Sequence, residues 1–574
     1  MNNQKIADIF DDIAKILEFK QDNIFKIRAY QKAAVTLRSL TEDIAKYAKN
    51  SSLTSLPGIG KDLADKINEI LKTGTLKVYQ GLKKSVPEGL MDVMSIPGVG
   101  PKKAKLLYDE LKIDSVEKLK EAAEKHKLSA LPHLKEKTEQ NILQGIKLLS
   151  KAKERMLLGE ALPAAEGVVN YLKDKKGVEK IEIAGSTRRQ KETIRDIDIL
   201  VASENPPEII KEFTHMPHTE KILAEGRTKA SVLTGRGLQI DLRVVDVESY
   251  GAALVYFTGS KEHNIRIREL AIKKGLKVNE YGVFTAKGTK INKKIAGKTE
   301  TEVYKALNLE FIPPELREDK GEIEAALENR LPELVKPSDI KGDLHVHSNY
   351  SDGAHAIEEI ANTCRDMGYK YVVISDHSKS LKIARGLSEE ELKRKNKEID
   401  QLNKKFKNFK ILKGSEVDIL SDGTLDYPDD VLKELDAVFV SIHSGFKQPM
   451  EKITERILKA MDNKYAHILS HPTGRLLNAR DPYAVDIDRV LKHAKQTHTA
   501  IEINGNVQRL DLDDINARAA ADMGIKLALT TDTHRLDNLQ FMRYAVSVAR
   551  RAWLTRKDAL NALPLQQLLK ALKK

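Results

Sequence analysis

The sequence predicts a multidomain chain of mixed α+β and α/β class: helical N-terminal domains, a central domain on a mixed sheet, and a C-terminal distorted barrel of seven βα units. Three observations predict it. A glycine turn between helical stretches occurs twice, at Leu56-Pro57-Gly58-Ile59-Gly60 and at Ile96-Pro97-Gly98-Val99-Gly100. An alternating strand carries Asp196 and Asp198, and a second one carries Asp241. From residue 341 onward, apolar runs end one after another in polar residues: DLHVHS, YVVISDH, FKILKGSEVD, AVFVSIHS, HILSHP, AIEING and LALTTDTH. A length of 574 residues exceeds one hydrophobic core.

Composition narrows the partners. Lys and Arg outnumber Asp and Glu by 97 to 84, a formal charge of +13, which favours a polyanionic partner. No run approaches the roughly 18 apolar residues of a membrane span, so no membrane partner is expected. Met1 to Phe19 mixes acidic with apolar residues and lacks the basic and apolar regions of a secretory signal, so a cytoplasmic, nucleoid-associated location is expected. The single cysteine, Cys364, excludes an internal disulfide and thiolate-rich zinc sites, leaving His and carboxylate to hold any metal.

Residues 1–85 and 86–151 read as two helical domains, each with one glycine turn. Gly58, Gly60, Gly98 and Gly100 allow positive φ and close approach, so the N–H groups opening the next helix can face a phosphate. Such contacts position DNA without reading its sequence. Two copies, each with apolar positions on both sides of the turn, identify the helix-hairpin-helix DNA-binding motif. Leu128 to Gly145 reads as a degenerate third copy without the glycines. Lys26, Tyr30 and Lys32 start a helix and line a candidate phosphate pocket. Lys66 sits on the helix opened by the first hairpin, where it could form a Schiff base with an abasic sugar if its surroundings lower its pKa.

Residues 152–247 carry the first candidate active site. The run Val178 to Ala184 ends in Gly185-Ser186, then Thr187-Arg188-Arg189 leads into the run Ile194 to Val201. Alternation places Asp196 and Asp198 on one face. Asp241 joins from Leu238-Gln239-Ile240-Asp241. Close carboxylates repel one another unless divalent cations neutralise them, so two Mg²⁺ or Mn²⁺ are expected here. One would activate a primer 3′-hydroxyl and the other stabilise the leaving pyrophosphate. Ser186 and Arg189 would grip phosphates. The joint pattern marks the nucleotidyltransferase superfamily.

The substrate follows from residues 248–315, a nucleotide-selecting subdomain. Tyr256-Phe257-Thr258-Gly259-Ser260, with Asn264 and Arg268 behind it, resembles the nucleotide-selecting segment of the family X, or polymerase beta-like, DNA polymerases. The resemblance runs in register to about residue 315. It implies that Asp196, Asp198 and Asp241 are metal ligands, that Arg155, Ser186 and Arg189 contact triphosphate, and that Tyr256 and Phe257 crowd the sugar against a ribose. It further implies that Asn264 meets the incoming base and Arg268 the template minor groove, with Lys66 as the Schiff-base lysine and Lys26, Tyr30 and Lys32 at a 5′-phosphate. Two positions depart from the pattern. Asp62 stands where a lysine is usual, weakening the positive field for lyase chemistry. Gln239 replaces an arginine two residues before Asp241.

Residues 316–340 read as a linker, acidic and helical from Leu316 to Val335 and then Lys336-Pro337-Ser338. Beyond it lies the barrel, 341–574, whose chemistry should gather at the C-terminal ends of the strands. The candidate ligands there are His345, His347, Asp352, His377, Glu416, His443, His471, Asp532 and His534. Six of the 15 histidines sit at strand ends, whereas His126, His215, His355 and His493 read as capping or core residues. Imidazole with carboxylate suits two or three Mn²⁺, Zn²⁺ or Fe²⁺, bridged by Glu416, with a shared hydroxide poised for attack on a phosphoester. The charged stretch Ser388 to Lys410 reads as a solvated helix. HxHS, SDH, SEVD, SIHS, SHP and TDTH resemble the polymerase and histidinol phosphatase (PHP) domain. That resemblance implies a Mn²⁺-dependent 3′-to-5′ exonuclease or 3′-end-processing phosphoesterase.

Together the resemblances imply a monomeric bacterial or archaeal polymerase that fills short gaps in base-excision repair, using gapped or primed double-stranded DNA and dNTPs. Two alternatives stay open: a barrel that is structural or hydrolyses a small phosphomonoester, and a DNA-end scaffold with both sites dead.

Overall fold

The computed structural model describes residues 3–39, 44–96, 99–132, 134–136, 138–143, 146, 155–235, 237–285 and 293–573. The chain divides into two compact units, Met1–Glu154 and Arg155–Lys574.

The first unit is helical. Asn3–Phe19, Ile24–Ser39, Ile44–Lys49, Lys61–Thr73 and Lys77–Lys84 enclose Phe10, Ile13, Leu17, Ile27, Tyr30, Leu37, Ile67 and Ile70. Leu90–Ser95, Pro101–Leu111 and Val116–Glu124 build a second cluster around Leu90, Val93, Ile96, Leu107 and Leu119. In the first hairpin only Gly58 needs the left-handed region, with φ +79. Its hydrogen faces Lys32, whose Cγ would lie 2.7 Å from an added Cβ. Gly60 and Gly100 are extended N-caps (φ −82 and −78) with open space around them, so closeness to a ligand, not backbone freedom, is what their glycines allow. Gly98 and its neighbour Pro97 lie outside the described residues.

In the second unit, five strands form the order β1 (Lys180–Ile183), β2 (Ile197–Ala202), β5 (Gln239–Val245), β4 (Lys229–Thr234), β3 (Thr219–Glu225). The sheet is mixed: β2 and β5 are parallel and the other pairs antiparallel. Ile197, Ile199 and Val201 are buried with Leu158, Ala161 and Ala165 of the helix Leu158–Leu172. Truncating Ile199 to Ala would cost about 2–5 kcal/mol and loosen the strand that carries the acids.

Leu276–Asn279, Gly282–Thr285 and Lys294–Ala296 make a three-stranded antiparallel sheet beside the helices Tyr250–Thr258 and Lys261–Lys273. Their core runs on through Leu316, Ile323, Ala326 and Leu334. The stretch 316–335 is therefore a packed part of this module and not a connector; its only described α-helix is Glu322–Leu327. The apolar residues Ile323 and Ala326 between its glutamates supply the burial.

Seven parallel strands follow in sequence order: β6 (Gly342–Val346), β7 (Tyr371–Ile374), β8 (Lys410–Asp418), β9 (Ala437–Ser441), β10 (Ile468–Leu469), β11 (Ala500–Asn504) and β12 (Leu527–Thr530). A bridge between Val346 and Thr533 brings the first strand to the end of the last, nearly closing a barrel. Strands buried on both faces need near-continuous apolar runs, which these sequences supply. Tyr371, Leu412, Phe439 and Ile468 form one cluster with Leu568 and Leu572 of the C-terminal helix. The helix Glu389–Lys405 is not wholly solvated: Leu392, Ile399 and Leu402 are buried, and so is Lys395, whose ammonium donates to the Gly414 carbonyl at 2.8 Å and lies 3.4 Å from Asp376.

Candidate active sites

The first site rests on strand register. Asp198 on β2 pairs directly with Asp241 on β5, and Asp196 lies one residue before β2. Gly185, at φ +60, makes this crowding possible, since an added Cβ would stand 2.1 Å from Asp198 Oδ2. Burial, then the charges of Asp196 and Asp241, push the Asp198 carboxyl up to about 7. Burial and Asp241 also raise Asp196. Asp241 accepts from the Ser231 hydroxyl and from Gln239 Nε2 at 3.2 Å, so the glutamine keeps a contact to this carboxylate without the positive charge of an arginine. Two raised carboxyls, Asp196 and Asp198, beside Asp241 fit a divalent cation, whose charge would favour their ionisation. A cation bound there would displace a proton from Asp198. Mg²⁺ titrations of activity at pH 6 and pH 8 should show apparent affinity rising with pH by up to about tenfold per unit below 7 and levelling above it. A pH-independent affinity would refute the shared-proton account.

Around these acids the structure places Ser186 in the short helix Gly185–Arg188. Arg155 is exposed and donates to Thr193, at 2.8 Å to Oγ1 and 2.6 Å to the carbonyl. Arg189 donates to Glu318 at 3.0 Å and to the Thr258 carbonyl, beside Gly259. Its neighbour Arg188 serves the fold instead, pairing with Glu300, which also takes Arg317 at 2.7 Å. Tyr256 and Phe257 meet edge to face at 5.1 Å, and Tyr256 is 38% exposed. Asn264 donates to the Tyr256 carbonyl at 2.7 Å. Tyr256, Asn264 and Arg268 line one cleft with Ala252, Val255 and Ile267.

In the barrel all nine candidate ligands converge at the C-terminal strand ends. Glu416 is the hub: its oxygens lie 2.8 Å from His471, 3.0 Å from His377, 3.4 Å from His345 and His443, and 3.6 Å from His347. Three groups have donor atoms close enough to hold an ion: His347, Asp352, His377 and His534; His345, His347 and Asp532; His377, Glu416 and His443. Asp532 and His471 have φ of +52 and +27, strained for residues with a Cβ at about 1–3 kcal/mol each. Although burial favours its neutral form, the surrounding imidazoles hold Glu416 well below the carboxylate range. Burial, then neighbouring His534 and His377, drive His347 down to about 4. Nδ1 of His347 and of His471 are buried without hydrogen-bond partners.

Four residues behind the ligands escape the motif reading. Glu502, inside β11, accepts from His345 Nδ1 at 2.6 Å, and Asp418 from His443 Nδ1 at 2.6 Å, fixing which ring nitrogen faces the centre. Arg509 lies 3.2 Å from Asp532, and Asp376 orders Ser348 and Ser351 of the first loop. A buried charge inside an apolar strand is the signal that would have exposed Glu502. Removing its charge in Glu502→Gln should cost about 10–100-fold in metal affinity, read by metal content after dialysis. Of the four histidines read as capping or core residues, His126 pairs with Glu139, His215 with the Lys211 carbonyl, His355 with Glu359 and His493 with Asp462.

In the helical unit, Lys26 pairs with Asp22, while Tyr30 is 2% exposed against Phe10, a core position and not an open pocket wall. Lys66 bonds Asp62 and lies 5.8 Å over the Tyr30 ring. Burial alone would lower its pKa, but Asp62 and Tyr30 outweigh it and raise it, the reverse of what a Schiff-base lysine needs. In the stretch read as a degenerate third copy, Glu139 accepts from the Leu128 and Ser129 N–H groups at 3.0 Å.

Comparison with known proteins follows the same division. Residues 1–76 match a helix-hairpin-helix domain, 90–148 a tandem helix-hairpin-helix domain, 253–318 the DNA polymerase beta thumb and 343–506 the PHP domain. The chain is 40% identical over 576 aligned positions, end to end in both proteins, to the DNA polymerase/3′-5′ exonuclease PolX of Bacillus subtilis (strain 168). A probable phosphatase of Thermoanaerobacter sp. (strain X514) is 30% identical over 230 residues, covering 38% of this chain and 89% of that protein. One of Clostridium acetobutylicum is 30% identical over 202 residues, covering 33% of this chain and 78% of that protein. End-to-end identity at this level, with thumb, hairpins and PHP domain all matched, means that the chain belongs to the PolX group of family X DNA polymerases, with a C-terminal PHP domain.

Proposed function

We propose that the chain adds deoxynucleotides to a primer in short gaps of double-stranded DNA and trims 3′ ends with its PHP domain, as in base-excision repair. The register pairing of Asp198 with Asp241 beneath the Gly185 turn carries the first part. The Glu416 hub inside nine converging ligands carries the second. Both parts draw support from the Bacillus subtilis relative, a DNA polymerase/3′-5′ exonuclease.

For addition, Asp196, Asp198 and Asp241 would hold Mg²⁺ or Mn²⁺, which would supply charge neutralisation for the attacking hydroxyl and the leaving pyrophosphate. Arg155, Ser186 and Arg189 receive the triphosphate. Tyr256 and Phe257 close the sugar side, Gly259 leaves room beside Arg189, Asn264 meets the base and Arg268 the template. Gly58, Gly60, Gly98 and Gly100 hold DNA backbone through the hairpins, with Lys26 and Lys32 adding positive charge. For hydrolysis, the nine barrel ligands would hold two or three Mn²⁺, Zn²⁺ or Fe²⁺, which would supply a hydroxide and charge neutralisation for the phosphoester. Glu502 and Asp418 keep His345 and His443 in the ligating tautomer.

A second reading has one observation in its favour: the probable phosphatases are similar to only 38% and 33% of this chain, no more than the barrel's own share of it. It makes the barrel a phosphomonoesterase. One gapped-DNA assay, with Mg²⁺ and with Mn²⁺, decides by following primer lengthening, shortening and free phosphate together. Lengthening with dNTPs and stepwise shortening without them support the proposal. Phosphate release from a small phosphomonoester without shortening would favour the second reading.

A further inference from the structure

The nucleotide loop is braced by the barrel. Between the helix Gly185–Arg188 and β2, the Arg189 carbonyl accepts from Arg551 at 2.8 Å, Gln190 from Ser547 at 3.0 Å and Glu192 from Arg475 at 2.7 Å. Asn478 donates to the Arg155 carbonyl at 2.6 Å.

One of these contacts does more than brace. The Arg189 guanidinium is held by Glu318 at 3.0 Å, and the same Glu318 oxygen accepts from Arg551 at 3.0 Å. Arg551, 4% exposed in its side chain, is anchored by Asp514 at 2.6 Å. Glu318 is ionised: burial pushes its carboxyl up, but Arg189, Arg551 and Lys191 together hold it below its ordinary value. A triphosphate must win Arg189 from this carboxylate. In a partly buried setting the contest is weakly screened, and a carboxylate shared between two guanidinium groups holds each less firmly than it would hold one alone.

We propose that Arg551, a barrel residue, is a positioning residue for nucleotide addition: by sharing Glu318 it frees Arg189 for the incoming triphosphate. The inference rests on the reading of Arg189 as a triphosphate ligand, so the test includes that residue.

The experiment is steady-state dNTP incorporation on gapped DNA by the full chain, with circular dichroism to check folding. Arg189→Ala should raise KM for dNTP. Arg551→Ala should raise it about tenfold while kcat stays within about twofold. Adding Glu318→Gln to Arg551→Ala should return KM close to the parent value, because the competing charge is gone. A simple brace would not be rescued, since the second change removes one more contact. Glu318→Gln alone should lower KM about threefold, and it decides the matter if Arg551→Ala does not fold. A tenfold rise in Arg189→Ala with no change in Arg551→Ala overturns the inference alone, as does a double variant no better than Arg551→Ala or an unchanged KM in Glu318→Gln. No change in Arg189→Ala overturns the ligand reading and the inference with it.

Discussion

Asp198→Asn should abolish primer extension, by a factor on the order of 10³ or more, and yet make the cation-free protein more stable at pH 8. Both effects come from one cause. Asp198 is buried and flanked by Asp196 and Asp241, which raises its carboxyl from 3.8 to about 7. Between those values the folded chain binds more protons than the unfolded chain, so stability falls as pH rises through the window and the loss is complete above about 7. The shift corresponds to about 4 kcal/mol as an upper bound, with relaxation and water entry reducing it. Asparagine keeps the shape, removes the charge and so removes the penalty. Melting curves at pH 5 and pH 8 in chelator should lie closer together at pH 5 and farther apart at pH 8, with the variant the more stable. Saturating Mg²⁺ should narrow the gap by stabilising only the parent. Retained extension, or a variant less stable at pH 8, would remove Asp198 from the site. Trimming in Mn²⁺ should be untouched, since it draws on the barrel ligands.

How much of this was legible in the sequence depends on whether a residue's role is local. Asp196 and Asp198 are two apart, and strand alternation puts them together without any knowledge of the fold. The barrel ligands were legible because parallel strands end in loops on one face, so seven separate sequence signals share one place. Glu502 stands within AIEING as a lone charge in an apolar strand, a signal that something must pair with it but with no spacing to say what. Its partner, His345, lies 157 residues away. Glu318 belongs to an acidic stretch that reads as a connector; its apolar neighbours pack the stretch so that Glu318 lies half-buried beside Arg189 and Arg551 instead. Tyr30 and Lys66 show the reverse failure, since motif position suggested an open, reactive pocket while packing made one a core residue and Asp62 held the other as an ammonium.

Glu416→Gln should stop 3′ trimming, again by a factor on the order of 10³ or more, while extension stays within about twofold of the parent. Five imidazoles surround this one carboxylate at 2.8–3.6 Å. Its oxygens face all five, so it is placed to bridge the cations that these ligands would hold. An amide keeps one acceptor oxygen but presents –NH₂ to the other side, so it cannot bridge and repels a cation at that edge. Metal content of the dialysed variant should therefore drop by at least one ion per chain relative to the parent. His345→Ala should resemble it in activity but remove fewer ions, because Glu416 and four of its imidazoles remain. The pair separates a catalytic barrel from a structural one: if bound metal falls and trimming persists, the cluster is not the nuclease centre, and if trimming falls with extension, the barrel acts on DNA only through the polymerase half. Loss of trimming with extension intact assigns hydrolysis to the ions that Glu416 holds together.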